Sequence, residues 1–278
     1  MVVYAERNGI MKRILLVMAL LAMVQGCLVA PVPPSNSEEA VAYVNQGMVC
    51  HNEGGYDAAI VNFSKAIELN PKYVEAYIRR GMAYSDRLSD TGDMEAALRD
   101  LNKAIEIDPK NVLAYWCRGV TYHRLSPIFS DDIRNYSEAV WDYTKAIDVD
   151  PTFADAYWCR GEVYNMVGDL EAALRDFDKA IELAPVRLWS CYEYRGDIYT
   201  VNRDYDAAIR DYEKVVELSP DYANTDSFRQ KHAMPYMKRG HESRRKGDFD
   251  AATRDYDKAI ELVPRLADDL NSLRQPNH

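Results

Sequence analysis

Histidine, cysteine and carboxylate side chains are the residues of this sequence that could carry catalysis or bind a metal ion. The sequence contains no H-E-x-x-H, paired C-x-x-C, G-x-G-x-x-G or phosphate-loop motif, whose spacing would bring such groups together. No potential nucleophile lies beside a base in a recognisable pattern. We therefore predict a protein that is not an enzyme and has no metal site, no cofactor and no small-molecule substrate. Five histidines are scattered without ligand spacing, namely His51, His123, His232, His241 and His278.

Cys27 is the cysteine whose sequence context indicates covalent modification. Lys12 and Arg13 precede an apolar stretch over residues 14–24, which is the layout of a secretory signal. The end of that stretch, Val24-Gln25-Gly26-Cys27, resembles a bacterial lipobox, in which the cysteine becomes the lipidated first residue. We predict a signal peptide over residues 1–26, starting at Met1 or Met11, and a lipid anchor on Cys27.

The residues after Cys27 bear on where the protein is anchored. Position 28 is not Asp, which in the Gram-negative sorting pattern implies the outer membrane, facing the periplasm. Residues 27–39 then form the lipidated cysteine and a Pro-rich tether. Two alternatives remain. The apolar stretch could extend over 14–32 as an uncleaved inner-membrane anchor, or the chain could be secreted after cleavage at Ala30, which Pro31 disfavours.

Composition excludes one class of partner. The 278 residues carry 34 basic against 44 acidic side chains and a formal net charge of −10. Nucleic-acid binding needs a basic footprint, so a nucleic-acid partner is not expected. With 47% hydrophobic residues, the chain has ample apolar surface for a folded core.

The elements that must position any binding residues form a repeat. Segments such as DLNKAIEIDP and DYDKAIELVP recur six times, and their closing prolines are 34 to 44 residues apart. A base period of 34 residues with insertions fits every interval. Glycine stands at position 8 and alanine at position 20 of all six units, which indicates two helices in close approach.

This pattern resembles the tetratricopeptide repeat (TPR), a helix-turn-helix unit. The resemblance implies an all-α, right-handed superhelical solenoid of six repeats over residues 40–264, followed by a C-terminal cap over 265–278. Frequent tyrosines at positions 4 and 24 are predicted to wedge between helices. The predicted repeats are residues 40–73, 74–111, 112–153, 154–188, 189–232 and 233–264.

A charge pattern accompanies repeats two to six. Position 7 of the first helix is Arg and position 23, on the second helix, is Asp, whereas repeat one has the amides Gln46 and Asn62. Because the two charges appear and vanish together, we predict one structural Arg–Asp pair per repeat, bidentate where geometry allows. The pairs are Arg80–Asp100, Arg118–Asp142, Arg160–Asp176, Arg195–Asp211 and Arg239–Asp255.

Insertions and the C-terminus complete the outline. Extra residues fall near 88–91, 126–133 and 223–232, where loops could form contact surfaces. Beyond Pro264, Leu266, Leu270 and Leu273 make a short apolar stripe that is predicted to cap the last repeat.

Binding is the function that these features favour. In TPR proteins the first helices line a concave groove, and here that groove is predicted to be apolar early in the chain, with two tryptophans, and basic at its end. Tryptophan and methionine are favoured anchors for a peptide or a helix; alternatively these side chains only pack between helices, and the basic end could meet an acidic partner or a lipid phosphate, or simply be solvated. The predicted groove residues are Val44, Met48, Ile78, Met82, Trp116, Val120, His123, Trp158, Arg244 and Arg245.

The sequence thus favours a membrane-tethered, non-enzymatic scaffold or adaptor of a bacterial envelope that binds a protein or peptide partner. Lipoproteins of this architecture include recruiters of proteases and cell-wall hydrolases and the pilotins of type IV pili. The alternative is a permanent subunit of an outer-membrane assembly, pilus or secretion complex. A permanent subunit should leave a large apolar face exposed when it is purified alone.

Overall fold

A computed structural model describes residues 36–87, 91–129 and 133–273. Within those ranges the secondary structure is helical with no strand, which confirms the all-α solenoid. No helix in these ranges has the length and apolar character needed to cross a membrane. The predicted signal peptide, Cys27 and most of the tether lie outside the described residues, as do residues 274–278.

The helices follow one another as hairpin pairs, one pair for each repeat. The first helices of the pairs are α1, α3, α5, α7, α9 and α12, and a short helix, α11, precedes α12. In chain order the helices are α1 (Asn36–Asn52), α2 (Tyr56–Leu69), α3 (Val74–Arg87), α4 (Thr91–Ile107), α5 (Val112–Phe129), α6 (Ile133–Val149), α7 (Ala154–Val167), α8 (Leu170–Leu183), α9 (Trp189–Val201), α10 (Tyr205–Leu218), α11 (Pro220–Ala223), α12 (Asp226–Arg245), α13 (Phe249–Leu262) and α14 (Ala267–Asn271).

Much of the inserted sequence is helical rather than loop. The segment predicted as a loop at 223–232 ends α11 and then forms the first turns of α12, a helix of 20 residues. The Thr225 hydroxyl caps α12 by accepting a bond from the Phe228 N–H at 3.3 Å. Around the other two insertions, α4, α5 and α6 have 17, 18 and 17 residues, against 14 in α3 and α7. Residues 88–90 and 130–132 lie outside the described ranges.

The two helices of each pair are close at the glycine of position 8. In repeat three a Cβ placed on Gly119 would lie 2.7 Å from Cε1 of the Tyr143 ring, which is fully buried. The same contact recurs in every repeat, with a Cβ-to-side-chain distance of 2.5 to 2.9 Å. Only glycine allows the large side chain of the second helix to lie directly on the first helix. The opposing residues are Phe63, Leu101, Tyr143, Phe177, Tyr212 and Tyr256.

An arginine in repeats two to six ties three helices together. In each, Nε and Nη2 donate to the two carboxylate oxygens of the aspartate on the following helix, at 2.7 to 3.0 Å. The remaining nitrogen, Nη1, reaches the second helix of the preceding repeat; from Arg80 it donates to the Ser64 hydroxyl at 2.9 Å. The pairs joined in this way are Arg80–Asp100, Arg118–Asp142, Arg160–Asp176, Arg195–Asp211 and Arg239–Asp255.

These arginines also account for many of the tyrosines. Each guanidinium lies over the ring of the tyrosine three residues earlier in its own helix, with the Cζ 5.5 to 5.9 Å from the ring centroid. The ring shields the ion pair from solvent, so the paired aspartates are buried. A buried carboxylate is tolerated there because the fork of the guanidinium satisfies both of its oxygens.

The last repeat is covered by the segment after α13. A 3₁₀ turn at Pro264–Leu266 leads into α14, and Leu270 is 2% exposed. Leu266 and Leu273 pack partly buried against the same cluster, which includes Tyr256 and Ala259. The apolar stripe therefore closes the end of the solenoid core.

Candidate protein-binding surface

The first helices form the inner, concave surface of the solenoid. Among the described residues, α1 contacts α3, α3 contacts α5, α5 contacts α7 and α9 contacts α12, whereas successive second helices make no comparable contact with one another. Helices that touch their equivalents in neighbouring repeats lie on the inside of the curve. We call this surface the groove; it is formed by α1, α3, α5, α7, α9 and α12.

Two of the predicted groove residues do not line it. Val44 is 1% exposed and Ile78 is 3% exposed. Val44 belongs to a core cluster with Phe63, and Ile78 to one with Leu101, so each packs against the second helix of its own repeat. The prediction that these two side chains face a partner was wrong, because at this position an aliphatic side chain fits between the first helices and the second helices behind them.

Four other predicted residues form a connected track along the groove. Met48 and Met82 line a cavity of about 100 Å³ between repeats one and two. Met82 also lines a second cavity of about 120 Å³, together with Trp116 and Val120. Because Met82 belongs to both, the two cavities adjoin across three repeats. The methionine side chains are flexible and polarisable, which suits a surface that adapts to a ligand.

The two tryptophans are half-buried and do more packing than the sequence indicated. Both lie against a cluster that contains Tyr143 and Cys159. The Trp116 ring meets the Phe153 ring edge-on, with centroids 6.0 Å apart. Trp116 borders the second cavity, whereas Trp158 also packs against the cluster behind α8.

His123 lies further along α5, where its Nε2 is 3.2 Å from Sδ of Met166. Its ring tilts toward Tyr136 with centroids 6.3 Å apart. Burial and the nearby Arg124 lower the pKa of His123 below its usual value, so the ring is neutral at pH 7. His123 is thus an apolar-facing contact rather than a charged one. No cluster of metal-ligating side chains occurs in the part of the chain that the structure describes.

Two acidic groups in the middle of the groove have hydrogen-bond partners within the protein. Lys231 donates to Glu193 at 2.6 Å and to Asp197 at 2.9 Å. The Tyr222 hydroxyl also donates to Glu193, at 2.8 Å. Both donors belong to the segment around the third insertion, which therefore covers the acidic groups of α9. Sequence reasoning missed this role because Lys231 is 34 residues from Asp197 along the chain.

The groove widens beyond Lys231 into a cavity of about 630 Å³ between α9 and α12, bordered by Val201 and Met234. A smaller cavity of about 350 Å³ adjoins it and is lined by Arg203, Lys238 and Arg245. Of the two arginines predicted here, Arg245 borders this 350 Å³ cavity. Arg244 instead donates from Nε to the Leu273 carbonyl at 2.9 Å and so helps to hold the C-terminal cap.

Sequence comparisons match models of one repeat family along most of the chain. Family models described as "TPR repeat" match residues 47–87, 86–126 and 135–168. Two further models are described as "Tetratricopeptide repeat". One matches residues 189–222, and the other matches residues 154–187 and 235–265. Curated protein sequences give no match.

Solved structures with the same fold cover most of the chain. PilF of Pseudomonas aeruginosa is similar with a TM-score of 0.61 and 18% identity, over 82% of this chain and 94% of its own. YrrB, described as "a TPR protein with an unusual peptide-binding site", is similar with a TM-score of 0.53 and 24% identity, over 77% of this chain and 98% of its own. A tetratricopeptide repeat protein of Parabacteroides merdae is similar with a TM-score of 0.52 and 23% identity, over 96% of this chain and 95% of its own. At these identities the likeness concerns the fold alone.

Proposed function

The chain belongs to the tetratricopeptide repeat family, and we propose that it is a membrane-tethered adaptor of a bacterial envelope that binds a peptide or helix of a partner protein in its groove. TPR repeat proteins are typically non-enzymatic scaffolds for protein–protein interaction. The finer proposal depends on one observation, the track of Met48, Met82, Trp116 and Val120 along the two adjoining cavities of repeats one to three.

The physical argument for the track is its mixture of apolar surface and open space. Each cavity alone holds little more than one side chain, so a partner would insert successive anchors rather than one large group. Anchors at i and i+3 or i+4 of a helix, or alternate residues of an extended peptide, have this arrangement. YrrB, described as a TPR protein with an unusual peptide-binding site, is a protein of similar fold and supports this proposal.

Charge substitutions test the track without emptying the core. We expect a Met82→Lys, Val120→Lys variant to lose a partner that the wild-type protein retains from detergent-solubilised envelope extract, because a desolvated lysine opposes apolar anchors. The matched control is Val61→Lys, Val216→Lys, at positions on second helices that are 60% and 40% exposed. All three proteins should melt alike. Loss of the partner from the control as well, or retention by the groove variant, would refute the proposal.

Membrane tethering is proposed from the lipobox-like segment ending in Cys27. We expect the wild-type protein to incorporate labelled palmitate and to lose its leader, and a Cys27→Ser variant to do neither, because that cysteine is the acylated residue in the proposal. Metabolic labelling and the mass of the mature protein check this. Wild-type protein that takes up no palmitate and keeps its apolar leader would favour the inner-membrane signal anchor instead.

A permanent subunit of an outer-membrane assembly, pilus or secretion complex remains the second candidate function. The structure offers one observation in its favour, namely several valines exposed on second helices away from the groove, among them Val61 and Val216. A partner lost only from the Val61→Lys, Val216→Lys variant would favour that candidate.

A further inference from the structure

The turn between the two helices of a repeat has an unusual residue in repeat five. At position 15, in the turn between the two helices, four repeats have a residue with a positive φ. Three of these residues are glycines: Gly54 at 78°, Gly168 at 87° and Gly247 at 82°. In repeat five the residue is Arg203, at φ 64°. A residue with a Cβ is strained in this region, whereas glycine is not.

The side chain of Arg203 reaches a cavity rather than the protein interior. It lines the cavity of about 350 Å³ together with Tyr205 of α10 and with Lys238, His241 and Arg245 of α12. The Arg203 side chain is 72% exposed. The strained backbone of Arg203 thus lies at a turn that brings a cation to the edge of the groove, which points to a role for the side chain.

The cations of this cavity have too few acidic partners. Glu242 is the carboxylate in its lining, and it lies 3.8 Å from Nη1 of Arg203 and 3.7 Å from Nη2 of Arg245. These contacts are looser than the 2.7 to 3.0 Å of the structural Arg–Asp pairs. Within the described ranges Lys238 has no ion-pair partner. Three cations therefore converge with one shared carboxylate among them.

An imidazole, that of His241, also lines this cavity. The pKa of His241 is lowered, first by burial and then by Arg245 and Arg244. Its Nδ1 lies 3.0 Å from the Tyr256 hydroxyl, which holds the ring in place at the edge of the cavity. An anion bound here would compensate a positive charge that the protein itself leaves uncompensated.

An apolar site directly adjoins the basic one. Thr200 and Val201 line both the 350 Å³ cavity and the 630 Å³ cavity, and Met234 borders the larger one. Val201 and Met234 are 66% and 41% exposed. The two cavities together offer a cation cluster for a carboxylate and, beside it, an apolar surface for a neighbouring side chain.

We propose that this pair of cavities, between the turn of repeat five and α12, binds an acidic peptide segment in which an Asp or Glu is next to an apolar residue. The carboxylate lies among Arg203, Lys238 and Arg245, and the apolar side chain lies on Val201 and Met234. The proposal rests on the proposed adaptor function, and it assigns to the partner a second contact, distinct from the apolar track of repeats one to three. A peptide is favoured over an anionic membrane because the cavities are on the concave side and because the protein as a whole is acidic, with a net charge of −10.

Binding can be measured with defined probes. The probes are fluorescein-labelled eight-residue peptides with Asp or Glu beside Leu or Met, and the same peptides with Asn or Gln in place of the acids. We expect the acidic set to bind in fluorescence anisotropy, to shift the ring resonances of His241 and not of His51, and to bind about tenfold more tightly than the amide set.

The decisive variant is Arg203→Gly, which removes the cation and relieves the backbone. It should raise the melting temperature by about 2–4 °C and weaken binding of the acidic peptides about tenfold. Loss of binding together with higher stability cannot result from unfolding. The matched control, Arg210→Gln, removes an exposed cation of α10 outside the cavity and should change neither quantity.

Three results would overturn the proposal: equal binding of acidic and amide peptides, acidic-peptide binding that survives Arg203→Gly, or binding to phosphatidylglycerol vesicles without binding to the peptides. The last result would assign the cations to a membrane surface. The proposed adaptor function is tested independently, since the Met82→Lys, Val120→Lys variant alters only the apolar track. If that variant loses its partner while the acidic peptides do not bind, the inference fails and the adaptor function stands.

Discussion

Replacing Arg118 with leucine is expected to lower the free energy of unfolding by about 3–5 kcal/mol, the range observed when one partner of a buried ion pair is removed. Asp142, its partner, is 1% exposed, so the substitution leaves a carboxylate in the core with neither of its two guanidinium bonds, which measure 2.9 and 2.7 Å. The substitution also removes the bond from Nη1 to Asn102 on the preceding repeat, so the loss extends across the boundary between repeats. Urea or thermal unfolding followed by circular dichroism measures it.

The loss should depend on pH in a definite direction. Burial raises the pKa of Asp142 even beside Arg118, whose hydrogen bonds and charge act to lower it. Without the arginine the folded-state pKa is higher still, while in the unfolded chain it stays near 3.8. A raised folded-state pKa means that the folded protein takes up the proton first, so the deficit is fully present above that pKa and shrinks as the pH falls through it toward 3.8. A deficit that is constant with pH would contradict this account.

Two controls separate the pair from charge in general. Removing both charges in an Arg118→Leu, Asp142→Leu variant should restore most of the stability, because no uncompensated charge remains. Replacing Lys103, whose pair with Glu106 is exposed on one helix face, should leave the free energy of unfolding close to the wild-type value. If Arg118→Leu were as mild as the Lys103 substitution, the arginines would not be struts of the solenoid.

Substituting Gly119 with alanine should destabilise the protein by about 2 kcal/mol, although alanine favours a helix by about 1 kcal/mol over glycine. The new Cβ would lie 2.7 Å from Cε1 and 2.9 Å from Cδ1 of the Tyr143 ring. That ring is fully buried and cannot move aside without disturbing Ala139, Cys159 and Val163. Steric overlap therefore outweighs the gain in helix propensity. Denaturant unfolding of the single variant measures the net effect.

Coupling between the two positions provides the check. In a Gly119→Ala, Tyr143→Leu variant the methyl group enters space that the ring has left, so the double variant should be more stable than the sum of the two single losses predicts. Strict additivity would mean that the glycine is required for backbone conformation and not for the approach of the two helices.

The fold could be predicted from the sequence because its contacts repeat. Gly119 and Tyr143 are close for the same reason in each of the six units, so one pattern fixes the closest point of every helix pair. The ion pairs were likewise readable, because the arginine and the aspartate vary together between repeats; in repeat one, where both are amides, Asn62 instead donates to the Ala58 carbonyl at 2.9 Å. Periodicity thus carries long-range information that a single element does not.

The groove was harder to predict, since motif positions do not specify which neighbour a side chain meets. Val44 and Trp116 share a position, yet Val44 is 1% exposed whereas the larger indole extends to a cavity. The loop predicted at the third insertion is wrong, since Thr225 caps a helix there and Phe228, His232 and Tyr236 are spaced for one buried face. The sequence also contains a signal for Arg203 that the repeat pattern alone does not use: glycine occupies the same position in three other repeats.

Site-specific photo-crosslinking in intact cells tests the central claim most directly. A photoreactive amino acid is placed at Met82, in the groove, or at Val61, which is 60% exposed on a second helix. If the protein is an adaptor that binds its partner in the groove, a discrete crosslinked species should form from position 82 and not from position 61. Crosslinking from position 61 with none from position 82 would contradict the account and place the binding surface on the outer face.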